Sequence, residues 1–225
     1  MPTSSLRAAF AVALCLCTGL REAPGNPAPL ADVPATVQVA ALADGDLVFR
    51  RGHDMVTRLV LTQGEAPRFS HVGIIVLEHG RADVVHAMPS EDGHAGGVVR
   101  EPLATFASSA NATDAAVYRV SHLDSRARAR LQAYALAHLG TPFDNAFRLS
   151  DSTSVYCTEF ALRAVAAAGV TWIADVPRVH VVVLPEPVIP PDYLRRMPAL
   201  TPVEGALRGD WEVESATQLK QPQWR

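Results

Sequence analysis

The chain has 225 residues, three cysteines, eight histidines and a formal net charge of −3. Its 48% hydrophobic content is enough for one sizeable core, and a single domain with extensions is expected. No basic block stands out, which excludes an electrostatic footprint for nucleic acid. Arg7 precedes an apolar run from Ala8 to Leu16 that is too short to span a bilayer but fits the core of a secretory signal. A leader over residues 1–19 is therefore expected, and with it export to the periplasm or beyond. Leu14-Cys15-Leu16-Cys17 weakly resembles a lipoprotein signal in which Cys17 would be lipidated, although the bulky Leu16 argues against it. Residues 20–43, rich in Pro and Ala, read as a linker.

Order is expected from Asp44-Gly45-Asp46, a turn that feeds the strand Leu47-Val48-Phe49. A short helix around Met55–Thr62 comes next. Ser70–Glu78 and Ala82–Met88 read as two strands of a hairpin with His79-Gly80 at its tip. Further strands are expected at Gly96–Arg100 and Ala115–Val120. Asp124 or Ser125 can cap a helix that reaches Leu139 and is closed by Gly140 and Pro142. Ser154–Phe160 leads into an alanine-rich helix that stops at Gly169, and His180–Leu184 reads as a last apolar strand. Strands, then a helix, then the cysteine helix make an α+β domain.

With the leader set aside, Cys157 is the one remaining cysteine, so no disulfide can form within the mature chain. It falls at the start of its helix, where unpaired N–H groups and the macrodipole stabilise a thiolate. The ordinary alternative is a plain core cysteine. The hairpin supplies a partner. If Glu78 faces Arg81, then His71 lies opposite Met88 and His86 opposite Gly73, which puts the two histidines diagonal on one face about 7–8 Å apart. Cys157, Phe160, Ala161, Ala164, Val165 and Ala168 form one apolar stripe, expected to dock on that same face. His71 is then the candidate base, His86 its orienting group, and the Cys157 N–H an oxyanion donor to which Tyr156 adds a phenolic one. Glu159, two positions after the cysteine, reads at least as well as a first-turn carboxylate favoured by the macrodipole as it does as a functional group. A metal site is not expected: His71, His79, His86 and His94 are evenly spaced, but His71 and His79 lie about 26 Å apart along one strand. No His-Glu-x-x-His or paired-cysteine signature occurs, and no cofactor is implied.

Four segments in this order carry a resemblance: Gly45–Phe49, Ser70-His71-Val72-Gly73-Ile74, Val85-His86-Ala87 and Tyr156-Cys157-Thr158-Glu159-Phe160. Together with Gly140–Asp144 and Ile189–Leu194, they make residues 44–195 similar to the permuted branch of the NlpC-type papain-like cysteine hydrolases. The match is close to the YiiX and YaeF group and more distant to lecithin retinol acyltransferase. The resemblance implies a circularly permuted papain-like fold, an antiparallel sheet packed against the cysteine helix, with residues 196–225 as an extension. It implies Cys157, His71 and His86 as thiol, imidazole and third polar residue. The YiiX group often has a carboxylate in the third position, so His86 follows the more general pattern. The expected substrate is a peptide, amide or acyl compound of the cell envelope. Acyl transfer or thioesterase chemistry on lipids, and a non-catalytic binding module, stay open as alternatives.

Overall fold

The computed structural model describes residues 34–53, 67–90 and 96–209. The expected leader, the first part of the linker and the helix around Met55–Thr62 lie outside the described residues.

Six strands form one antiparallel sheet: β2 (Leu47–Arg51), β3 (His71–Glu78), β4 (Arg81–Met88), β5 (Gly97–Pro102), β6 (Asp114–Val120) and β7 (Leu200–Pro202). Their order across the sheet is β5-β4-β3-β2-β6-β7. The β3–β4 hairpin closes through His79 and Gly80, both at positive φ (51° and 75°), the backbone that a two-residue primed turn requires. Glu78 pairs with Arg81 and Ile74 with Val85, the expected register. A short strand β1 (Thr36–Val37) pairs with β8 (Leu207–Arg208) in a separate two-stranded sheet. The ordered body therefore begins before residue 44 and continues past residue 195. The linker and C-terminal extension expected there each contribute part of it.

Helix α1 (Leu103–Phe106) directly follows β5, and α2 (Ser125–Ala137) follows β6. The Asp124 carboxylate caps α2 by accepting the Ala127 N–H at 2.7 Å. Helix α3 (Cys157–Ala167) packs against α2, β3 and β4. It ends before Gly169, whose φ of 92° suits a residue without a Cβ. Helix α4 (Pro191–Arg195) starts with a proline at its first turn, where the missing N–H costs nothing. The strand expected at His180–Leu184 does not form. Val182 and Val183 are exposed, and the segment is held by a lone bridge between Val179 and Val188. The β-branched composition has no neighbouring strand to pair with there, and Pro185 and Pro187 interrupt any longer ladder.

Two apolar layers cover the sheet. On one face, Val72, Ile74, Val76, Val85 and Ala87 pack with Phe160, Ala161, Ala164 and Val165 of α3. Burial of Phe160 and Val165 contributes about 1.5–3 kcal/mol each. On the other face, Val48, Ile75 and Val84 pack with Leu103 and Phe106 of α1.

Candidate active site

His71 opens β3 and is paired across the sheet with Arg50 of β2. His86 lies on the neighbouring strand β4, cross-strand from Val99 of β5. The diagonal placement brings the rings together: His71 Nε2 lies 2.8 Å from His86 Nδ1, with the ring planes nearly perpendicular at 89°. Gly73 makes this possible. A Cβ there would come 2.3 Å from Val84 Cγ1 and 3.1 Å from His86 Cβ, so the space beside Gly73 is filled by these two side chains.

Phe106 floors the pair, with ring centroids 5.8 Å from His71 and 5.1 Å from His86. The Arg50 guanidinium lies over the Phe106 ring at 4.4 Å and donates to the Phe106 carbonyl at 3.1 Å. Glu101 of β5 completes the cluster. Its Oε1 is 2.8 Å from His86 Nε2 and 3.9 Å from Arg50 Nη1. The oxygen lies to the side of the ring N–H direction, so this is a close but bent contact between a carboxylate and an imidazole, not a straight hydrogen bond. Both histidines are buried. Burial, and then the Arg50 and His86 charges, hold His71 well below the ordinary histidine value. Burial also lowers His86, opposed by its Glu101 contact. The imidazoles are thus neutral near pH 7, the form that accepts a proton.

Cys157 is the first residue of α3 and is buried, with Sγ 3.9 Å from Thr158 Oγ1. Its helix docks as an apolar stripe, as expected, but on the opposite face. His71 and His86 alternate with Val72, Ile74, Val85 and Ala87, which face α3, so the rings project toward Phe106. The expected docking face of the α3 stripe is corrected accordingly. The elements still share an arrangement of ends, since Cys157 opens α3 as His71 opens β3.

Tyr156 has a different engagement from the expected oxyanion donor. Its buried hydroxyl accepts the Ile189 N–H at 3.2 Å and its ring packs on Phe147 at 5.3 Å, which ties the segment before α4 to the start of α3. Burial pushes the phenol above its ordinary range. Glu159, read as a simple first-turn carboxylate, is buried, receives the Tyr156 N–H at 3.4 Å and pairs with Arg163 at 2.6 Å. Burial dominates its surroundings and raises its carboxyl to about 7. Glu101 and Arg50 are the site residues that sequence reasoning missed. Extending the hairpin register one strand further would have found Glu101, because Val99 opposite His86 places it on the same face.

A six-stranded antiparallel sheet, a helix-start cysteine and a histidine pair on adjacent strands define a thiol hydrolase fold of the papain-like class. The family model described as "permuted papain-like amidase enzyme, YaeF/YiiX, C92 family" matches residues 41–181, and the chain belongs to this family of cysteine hydrolases. Among solved structures it is similar to the crystal structure of metalloprotein yiiX from Escherichia coli O157:H7. The TM-score is 0.57 and the identity 22%, over 71% of this chain and 94% of that one, which shows the shared fold. No curated protein matches the chain. Among the described residues no group of three or more His, Cys, Asp or Glu is arranged to hold a metal ion. His71, His86 and Glu101 turn their facing atoms on one another, so this trio does not fit an ion. No helix among the described residues is long and apolar enough to cross a membrane.

Proposed function

We propose that the chain is an exported thiol hydrolase that cleaves an amide or peptide bond in cell-envelope material, with Cys157 as nucleophile, His71 as base and His86 as the group that orients it. The observation that carries this reading is the 2.8 Å contact between His71 Nε2 and His86 Nδ1, which leaves His71 Nδ1 for the reaction. Each of the two groups opens its element, His71 at the start of β3 and Cys157 at the start of α3, which is the placement this pairing uses. His71 takes the Cys157 proton as Sγ attacks the carbonyl carbon, and the Cys157 N–H at the helix start donates to the resulting oxyanion. Collapse breaks the C–N bond, and His71 returns the proton to the departing amine. Water then attacks the thioester, giving its proton to His71. The C–S bond breaks, the acid departs, and the thiol recovers its proton.

The leader-like run Ala8–Leu16 supports export, and an envelope substrate follows from that location. The test is to expose wild-type protein and Cys157→Ala to peptidoglycan fragments and to acyl lipids. Release of an amine from the fragments by wild type, with a covalent mass adduct on Cys157 and no turnover by Cys157→Ala, is the expected result. Turnover by Cys157→Ala would refute the nucleophile. An adduct formed from the acyl lipids alone would move the assignment to acyl transfer or thioester chemistry, and no adduct from either would favour a binding module.

A further inference from the structure

We propose that Glu101 is a positioning residue that fixes the proton arrangement of both histidines, so that Nδ1 of His71 is the bare nitrogen presented for catalysis. The catalytic part of this inference rests on the function proposed above, whereas the proton arrangement itself does not.

Glu101 Oε1 stands 2.8 Å from His86 Nε2. A carboxylate's negative charge at that distance repels a bare ring nitrogen and attracts an N–H dipole even where the contact is bent, so Nε2 of His86 carries the proton. Burial opposes ionisation of Glu101, but the His86 contact and the Arg50 charge outweigh it and hold its carboxyl below the ordinary value. The group is therefore a carboxylate at neutral pH. A neutral His86 protonated at Nε2 has a bare Nδ1, and that atom is the one 2.8 Å from His71 Nε2. His71 must then donate from Nε2, and with the ring neutral its Nδ1 is bare. Reverse the first step and the outcome inverts: His86 protonated at Nδ1 donates to His71 Nε2, and His71 carries its proton on Nδ1, where it cannot act as a base. One carboxylate two strands away from His71 selects between these states.

Arg50 holds the carboxylate in place. Its Nη1 lies 3.9 Å from Oε1, and stacking over Phe106 together with the bond to the Phe106 carbonyl fixes the guanidinium. Phe106 in turn floors both imidazoles. The carboxylate is thus anchored on one side and turned to His86 on the other.

The experiment compares wild type with Glu101→Gln and Glu101→Leu. Two-bond ¹⁵N correlation spectra of the histidine rings read the tautomers, and the rate of Cys157 alkylation by iodoacetamide reads the base. In wild type both His71 and His86 are expected as Nε2–H tautomers. Glu101→Leu should shift the His86 tautomer ratio by roughly ten- to a hundredfold, the range of a charge-assisted hydrogen bond, and slow alkylation. Glu101→Gln keeps an acceptor oxygen and should restore the Nε2–H form and most of the rate, which a purely structural role would not require. An Nδ1–H proton on His86 in the wild-type protein overturns the proposal, and that reading holds even if Glu101→Leu fails to fold. An unchanged tautomer ratio in a folded Glu101→Leu also overturns it. Tautomers that follow Glu101 while alkylation stays constant would uphold its role and refute the Cys157–His71 pairing.

Discussion

Replacing Gly73 with alanine pits two opposing effects against each other, and the distances decide between them. Gly73 does not adopt a positive φ, so alanine fits the backbone. Stiffening the unfolded chain would then stabilise the protein by about 0.4–1 kcal/mol. Against this, the new methyl would sit 2.3 Å from Val84 Cγ1 and 3.1 Å from His86 Cβ in a layer where Val84 and His86 are fully buried. Overpacking of this kind costs about 1–3 kcal/mol, so net destabilisation is expected. The Val84 contact is the tighter of the two, which singles out its relief. Val84→Ala alone leaves a small cavity at a cost of about 1–3 kcal/mol, but it also removes Cγ1. The double variant should therefore be more stable than the sum of the two single losses, by about 0.5–2 kcal/mol. Urea unfolding of the four proteins, with m values checked for equality, measures the coupling. Strict additivity, or a stabilising Gly73→Ala, would show that the packing beside His86 is looser than these distances imply.

Two further outcomes concern the histidines. His71→Ala should slow iodoacetamide alkylation of Cys157 at neutral pH by roughly a hundredfold, the low side of what a positioned base contributes. His79→Ala, at the hairpin turn, should leave the rate unchanged, and equal rates in the two variants would remove His71 as the base. Stability should also fall in mild acid. His71 and His86 are held below 6.5 in the folded protein, so their contribution is complete above that pH. It is lost as the pH drops toward the folded values, because the unfolded chain binds protons there and the folded one does not. Glu159, raised to about 7, acts in the opposite sense: its contribution is present below 4.5 and lost as the pH rises through 7. The comparison therefore uses His86→Asn, which retains Glu159. Urea midpoints between pH 8 and 5 should fall less steeply in that variant than in wild type, and an equal or steeper fall would contradict the burial argument.

The hairpin was legible because its turn fixes its register. Once His79 and Gly80 occupy the two tip positions, every pair down the ladder follows, including the diagonal of His71 and His86. The face was not legible. A half-exposed strand announces its inner side by alternation, but His71 to Val76 and Ala82 to Ala87 are buried without interruption, since both faces of β3 and β4 are covered. The apolar stripe of α3 says which side of the helix is buried and nothing about which side of the sheet receives it. Tyr156 escaped for another reason: its hydroxyl partner is a backbone amide 33 positions away, beyond any local pattern. Glu101 gave no local signal either, as it precedes Pro102 at the end of a short strand and acquires meaning only from its neighbour across the ladder.

The double coverage that hid the face also shapes the chemistry. A histidine at the mouth of an open cleft can stay charged beside a thiolate, but His71 is enclosed by Phe106 and faces the Arg50 cation. Both influences disfavour an imidazolium at rest, so a pre-formed thiolate–imidazolium pair is poorly supported in this environment. The pair is better suited to move its proton during attack, when the developing negative charge on the oxyanion and the positive charge on the ring appear together. The Glu101 carboxylate then matters twice. At rest it selects the proton arrangement of the two rings. During attack its negative charge, carried inward through His86, offsets Arg50 at the moment His71 becomes cationic. Arg50 fixes the carboxylate in place yet opposes the charge that catalysis must create, and this conflict is eased because the Glu101 carboxylate lies against both that cation and His86.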